Sequence, residues 1–150
     1  MSTMRVLLVE DHPSWQMILQ EKTHQALQEM GCEAGSTIRV VGDFARAWEA
    51  LRKEGPWHLL VTDIGLGSKY EAMLGKLLVE EASKLQVPTI AVSGTMVITR
   101  QEVGELITED KACAFFEKGQ FDGRRFIAKI QEFCEVSWAE PSTNPDLRSQ

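Results

Sequence analysis

Apolar positions along this chain fall into two alternating kinds of segment. Five short runs are almost continuously apolar: residues 6–9, 38–41, 59–61, 89–92 and 113–116. Runs of that length without alternation predict strands buried on both faces, as in a parallel sheet. Between them, apolar residues recur at helical spacing. Trp15, Ile18, Leu19, Ala26, Leu27 and Met30 share one face, and Gly31 supplies a stop. Phe44, Ala47, Trp48 and Leu51 form a second helical stripe, ending before Gly55 and Pro56. Leu74, Leu77, Leu78, Ala82 and Leu85 form a third, ending before Pro88. Val103, Leu106 and Ile107 mark a short fourth helix, and Phe126, Ile127, Ile130, Phe133 and Cys134 a last one.

Strict alternation of strand and helix predicts an α/β fold: a doubly wound, five-stranded parallel sheet with helices on both faces. Units of this length fit the flavodoxin-like strand order 2-1-3-4-5. The periodicity stops near Trp138. One domain is therefore expected over 1–137, followed by a flexible tail over 138–150 containing Pro141, Asn144 and Pro145. No internal repeat and no linker to a second domain are visible.

Composition narrows the function. The 150 residues are 43% hydrophobic and 25% charged, ordinary for a globular domain. A net charge of −6 argues against binding to nucleic acid or to an anionic membrane surface. Cys32, Cys113 and Cys134 share no metal-ligand spacing and read as reduced thiols, which with the lack of a signal-peptide layout predicts a cytoplasmic protein. No apolar run approaches the roughly 20 residues of a membrane span.

In open α/β sheets, ligands lie beyond the carboxyl ends of the strands. The first strand runs into Glu10 and Asp11, the third into Asp63, the fourth into Ser93, and the fifth into Glu117 and Lys118. In the predicted order these ends meet at one crevice. Gathered carboxylates repel one another, and a hard divalent cation, Mg²⁺ or Mn²⁺, resolves the repulsion. Asp11 and Asp63 are the expected direct ligands. Glu10 is expected to act through water, and the Gly65 carbonyl to add another oxygen. A carboxylate ionised at neutral pH can attack phosphorus without a general base, so Asp63 is a candidate phosphoryl acceptor. Lys118 would balance charge on the transferred group, and Ser93 would donate one hydrogen bond.

Residues 6–13, 59–63, 91–94 and 115–118, in that order at those strand ends, resemble the receiver domain of response regulators. The resemblance spans roughly residues 4–135. It implies phosphorylation of Asp63 by a sensor histidine kinase or phosphotransfer protein, with Glu10 and Asp11 binding the metal. It implies a switch hydroxyl at Ser93, an aromatic switch residue at Phe115, and a phosphoryl contact from Lys118. Gly65 and Thr95 match positions that tune the lifetime of the phosphorylated state. Output is then expected through a downstream protein partner or a homodimer. Three positions depart from the family pattern. Gly119 replaces a proline whose preceding bond is often cis, whereas a cis bond to glycine costs roughly 3 kcal/mol. Gly67 replaces another proline, and Phe115 has no hydroxyl. These departures leave room for a second reading, an interaction module that works without phosphorylation.

Other candidates are weaker. His12, His24 and His58 have no shared metal spacing, and His12 is expected only to shape its loop. Trp15, Trp48 and Trp57 read as packing residues, with Trp15 placed to report metal binding optically. Gly65, Gly67, Gly75 and Lys76 fail the phosphate-loop pattern, because Tyr70 and Leu77 stand where Gly and Ser or Thr are needed. A phosphohydrolase with an Asp-x-Asp nucleophile motif is disfavoured, since Gly65 occupies the position of the second aspartate.

Overall fold

The computed structural model describes residues 3–32, 34–64, 69–94 and 113–139. The helix expected around Val103, Leu106 and Ile107 lies outside them, as do Gly65, Gly67, Thr95 and residues 140–150. Five strands, β1 (Arg5–Val9), β2 (Thr37–Val41), β3 (Leu59–Asp63), β4 (Thr89–Ser93) and β5 (Cys113–Glu117), form one parallel sheet in the order β2-β1-β3-β4-β5. Four helices accompany it: α1 (Pro13–Glu29), α2 (Phe44–Lys53), α3 (Lys69–Lys84) and α4 (Gly123–Ala139).

Successive strand residues point to opposite faces, so each apolar strand feeds two cores. Val6, Leu8, Leu59, Val61, Ile90 and Val92 pack with Leu19, Ala26 and Leu27 of α1 and Phe126, Ile127 and Ile130 of α4. Leu7, Val9 and Leu60 face the other way, against Ala47, Ala50 and Leu51 of α2 and Leu78 and Ala82 of α3. Burial on both faces holds for β1, β3 and β4 but not for the edge strands β2 and β5, where Ala114, Phe115 and Phe116 are only half-buried. In β2, Thr37 and Arg39 are exposed, because it is an edge strand with one half-solvated face.

Local chemistry fixes the helix starts. Pro13 occupies the first turn of α1, where its missing N–H is no loss. Asp43 Oδ1 accepts from the Arg46 N–H at 2.8 Å and caps α2. Asp122 Oδ1 accepts from the N–H groups of Arg124 and Arg125 and does the same for α4. Cys32 and Cys134 are buried free thiols, and burial pushes the Cys134 thiol up to about 12.

Candidate functional site at the carboxyl edge of the sheet

The residue after β1 is Glu10. Its N–H donates to the Val41 carbonyl at 3.0 Å, which carries the β1–β2 pairing one residue further. Its side chain is wholly buried. Carboxylate oxygen Oε2 accepts the His12 N–H at 3.0 Å, and Gln16 Nε2 donates to the Glu10 carbonyl at 2.6 Å. These bonds fold the β1–α1 turn back over the acid. Asp11, the next residue, is exposed. Asp63 closes β3 and is 4% exposed, pinned in register by pairing with Val92 of β4. Ser93 closes β4 and is also buried.

Lys118 follows β5 and opens a short 3-10 turn, Lys118–Gln120. Its ammonium donates to Asp63 Oδ2 at 2.8 Å and lies 2.9 Å from Glu10 Oε1. The second contact is an ion pair whose angle falls outside hydrogen-bond geometry, so Glu10 Oε1 has no true hydrogen bond. Among the described residues, Gly55–Pro56 is the sole cis bond, so the bond after Lys118 is trans.

Oxygens of Glu10, Asp11 and Asp63 lie within 4.8 Å of one another. Three carboxylates against one ammonium leave two negative charges in excess. Burial of the Asp63 carboxyl, with Glu10 beside it, pushes its pKa up to about 7 against the pull of Lys118. Burial also favours neutral Lys118, but Asp63 and Glu10 outweigh that effect and raise its pKa.

The residues present fit a divalent cation. Asp63 Oδ1 and Glu10 Oε1 are buried with no hydrogen bond. The Asp63 oxygen has no partner and the Glu10 oxygen only the charge of Lys118, which is costly unless another group satisfies them. Exposed Asp11 gives an ion a route in from solvent.

Two residues that sequence reasoning treats as ordinary enclose Lys118. Its Nζ sits 5.1 Å from the Trp15 ring centroid. Its stem passes Gly94 so closely that a Cβ there would lie 2.9 Å from Lys118 Cδ. The one signal available in the sequence is an aromatic residue one helical turn beyond Asp11. Phe115, the expected aromatic switch residue, is half-buried. It borders a cleft of about 270 Å³ lined also by Phe116, Glu117, Gln120, Arg125 and Lys129.

No family model matches the sequence, and no characterised protein shows a significant sequence match. Solved structures do match. A signal receiver domain from Pseudomonas fluorescens Pf-5 superposes with TM-score 0.65 at 17% identity, covering 91% of this chain and 98% of that one. A CheY-like response regulator from Mesorhizobium loti gives 0.60 at 20% identity, covering 88% and 99%. The phosphorylated cyanobacterial phytochrome response regulator gives 0.54 at 19% identity, covering 95% and 98%. The chain has the fold of response-regulator receiver domains. Among the described residues, no helix is long and apolar enough to cross a membrane.

Proposed function

We propose that this chain is a receiver domain that accepts a phosphoryl group on Asp63 from a histidine kinase or phosphotransfer protein. One observation carries the reading. Asp63 is buried at the strand end with Oδ1 unpartnered, Oδ2 on Lys118, and two further carboxylates beside it. A merely structural carboxylate in that position would have both oxygens satisfied.

One carboxylate oxygen of Asp63 supplies the electron pair that forms the new oxygen–phosphorus bond. The nitrogen–phosphorus bond of the donor phosphohistidine breaks, and its electron pair returns to the imidazole. Lys118, already at the acid, moves its hydrogen bond to a phosphoryl oxygen as charge builds there. The Ser93 hydroxyl donates to another phosphoryl oxygen. Asp11 and Asp63 would hold Mg²⁺ or Mn²⁺ directly, with Glu10 through water and Gly65 through its carbonyl. A water-mediated role suits Glu10, because His12 and Lys118 already engage its oxygens. The ion would neutralise charge on the acids and on the transferred group.

Signalling then follows from repacking. Movement of Ser93 toward the phosphoryl group frees space for Phe115 and reshapes the cleft beside β5 and α4. The phosphoryl group shifts the population only by what it contributes more to one form than to the other. The expected readers of that face are a downstream protein or a second copy of this chain. The receiver unit is taken as 1–137, and the protein as cytoplasmic.

Acetyl phosphate with Mg²⁺ tests the reading. Intact-protein mass spectrometry is expected to show one added phosphoryl group on the wild type and none on Asp63→Asn. A folded wild type that gains no mass with either acetyl phosphate or a phosphohistidine donor overturns it.

A further inference from the structure

In the receiver role something must aim Lys118 at Asp63. Residue 119 does not. It is glycine, and a Cβ built there would touch nothing within 4 Å. The backbone after Lys118 is held three residues on, at Phe121. Phe121 returns an N–H to the Lys118 carbonyl at 3.3 Å, and its ring packs at 5.4 Å edge-on to Trp15. It also meets Phe126 at 5.2 Å and Phe116 at 6.1 Å. Trp15 therefore touches both ends of the problem: the ring that anchors the turn and the ammonium that the turn presents. Gly94 lets the lysine stem pass close against its backbone, where a Cβ would lie 2.9 Å from Lys118 Cδ.

Resting on the receiver reading, we infer that Trp15 is a positioning residue, whose indole face holds the Lys118 ammonium over Asp63 in place of a rigid residue after the lysine. The physical grounds are specific. The lysine side chain is only 13% exposed, and its head meets Glu10, Asp63 and the Trp15 face. An ammonium over an indole is attracted by the ring quadrupole, more strongly where water is thin. The carboxylates attract the charge but do not limit its sideways swing once a phosphoryl group competes for it. The flat ring at the head, and the close contact of the stem with Gly94, limit that swing.

The experiment uses the full chain with Trp15→Leu and Trp15→Phe, each alone and combined with Lys118→Met. Phosphorylation by acetyl phosphate is followed at saturating Mg²⁺. NMR follows the Lys118 ε-methylene protons, which a ring face shifts upfield. Trp15→Leu is expected to slow phosphorylation roughly three- to tenfold, the size of one partly desolvated cation–π contact. Trp15→Phe keeps a ring face and is expected to stay within about twofold. In the Lys118→Met background, Trp15→Leu should cost nothing further, because its effect runs through the lysine. The upfield shift should be present in wild type and Trp15→Phe and lost in Trp15→Leu.

Equal losses from Trp15→Leu in both backgrounds would make Trp15 merely structural and overturn the inference. So would ordinary ε-methylene shifts in the wild type, a measurement that needs no variant to fold. A wild type with the upfield shift but no phosphorylation would instead sink the receiver reading, with the lysine still held by the ring.

Discussion

His58 stands in the turn leading into β3, far from the acidic edge, and its ring has a defined job. Nδ1 accepts the Arg5 N–H at 2.9 Å, while the His58 N–H donates to the Arg5 carbonyl at 2.8 Å. The pair locks β3 to the start of β1. An accepting Nδ1 must be unprotonated. Burial first, and then the Arg5 charge, hold the His58 pKa below the usual 6.5. A histidine with a depressed folded pKa contributes its full stability above 6.5 and loses it as pH falls through the folded value. Lowering the pH below 6.5 is therefore expected to cost about 1 kcal/mol at this site, one hydrogen bond. His58→Asn, whose amide oxygen can accept the same N–H, should flatten that part of the Tm-against-pH curve. Identical curves for the two proteins between pH 7 and 5 would remove His58 from the account. This role was invisible in the sequence, since it depends on which residue of β1 lies opposite. The same holds for Trp15 and Gly94, whose contacts with Lys118 cross between elements. Glu10, Asp11, Asp63 and Lys118 were legible because each stands within two residues of the end of an apolar run, and topology alone brings such positions to one edge.

Element boundaries were legible where the apolar stripe reaches the end of the element. α2 and β4 match their patterns closely, whereas α3 begins at Lys69, five residues before Leu74, the first apolar residue of its predicted stripe. Periodicity marks only the buried face, so a helix start outside that stripe leaves no trace. Nor could it show why residue 75 is glycine. Gly75 lies inside α3, and a Cβ there would sit 2.6 Å from Ile64 Cγ2 and 3.1 Å from Ile64 Cα. Two effects of Gly75→Ala oppose each other. The helix itself gains about 1 kcal/mol from the substitution. The contact costs roughly 1–3 kcal/mol, toward the upper end here because the backbone just after β3 must move as well as a side chain. Overpacking wins, and a net loss of about 1–2 kcal/mol in urea unfolding is expected. Ile64 directly follows Asp63, so the displaced strand end should also slow phosphorylation by acetyl phosphate. A more stable Gly75→Ala would mean that α3 slides away from the sheet without resistance.

For the whole molecule, the acidic edge sets stability against chemistry. The chain already carries a net charge of −6, and three carboxylates meet one lysine at this edge. Two buried oxygens there lack hydrogen bonds. Without a divalent cation, Asp63→Asn removes a buried charge that repels Glu10 and gives that acid an amide donor. It also weakens the hold on Lys118, but Glu10 remains as a partner for the ammonium. Relief of burial and repulsion outweighs the lost ion pair, and the variant should be more stable than the wild type in chelator by about 1–2 kcal/mol. With Mg²⁺ the order should narrow or reverse. Binding to the folded state alone contributes about 2.7 kcal/mol at one hundred times Kd, which for a domain of this size raises Tm by roughly 5–10 °C. Asp63→Asn, lacking one charged ligand, should gain much less from the same addition. The difference between the two responses, measured by thermal unfolding in chelator and in Mg²⁺, isolates the site from nonspecific salt effects, which would lift both proteins alike. Equal shifts would place the cation elsewhere. A wild type already more stable than Asp63→Asn in chelator would mean that Lys118 alone neutralises the edge, and that the unpartnered oxygens are not held open for an ion.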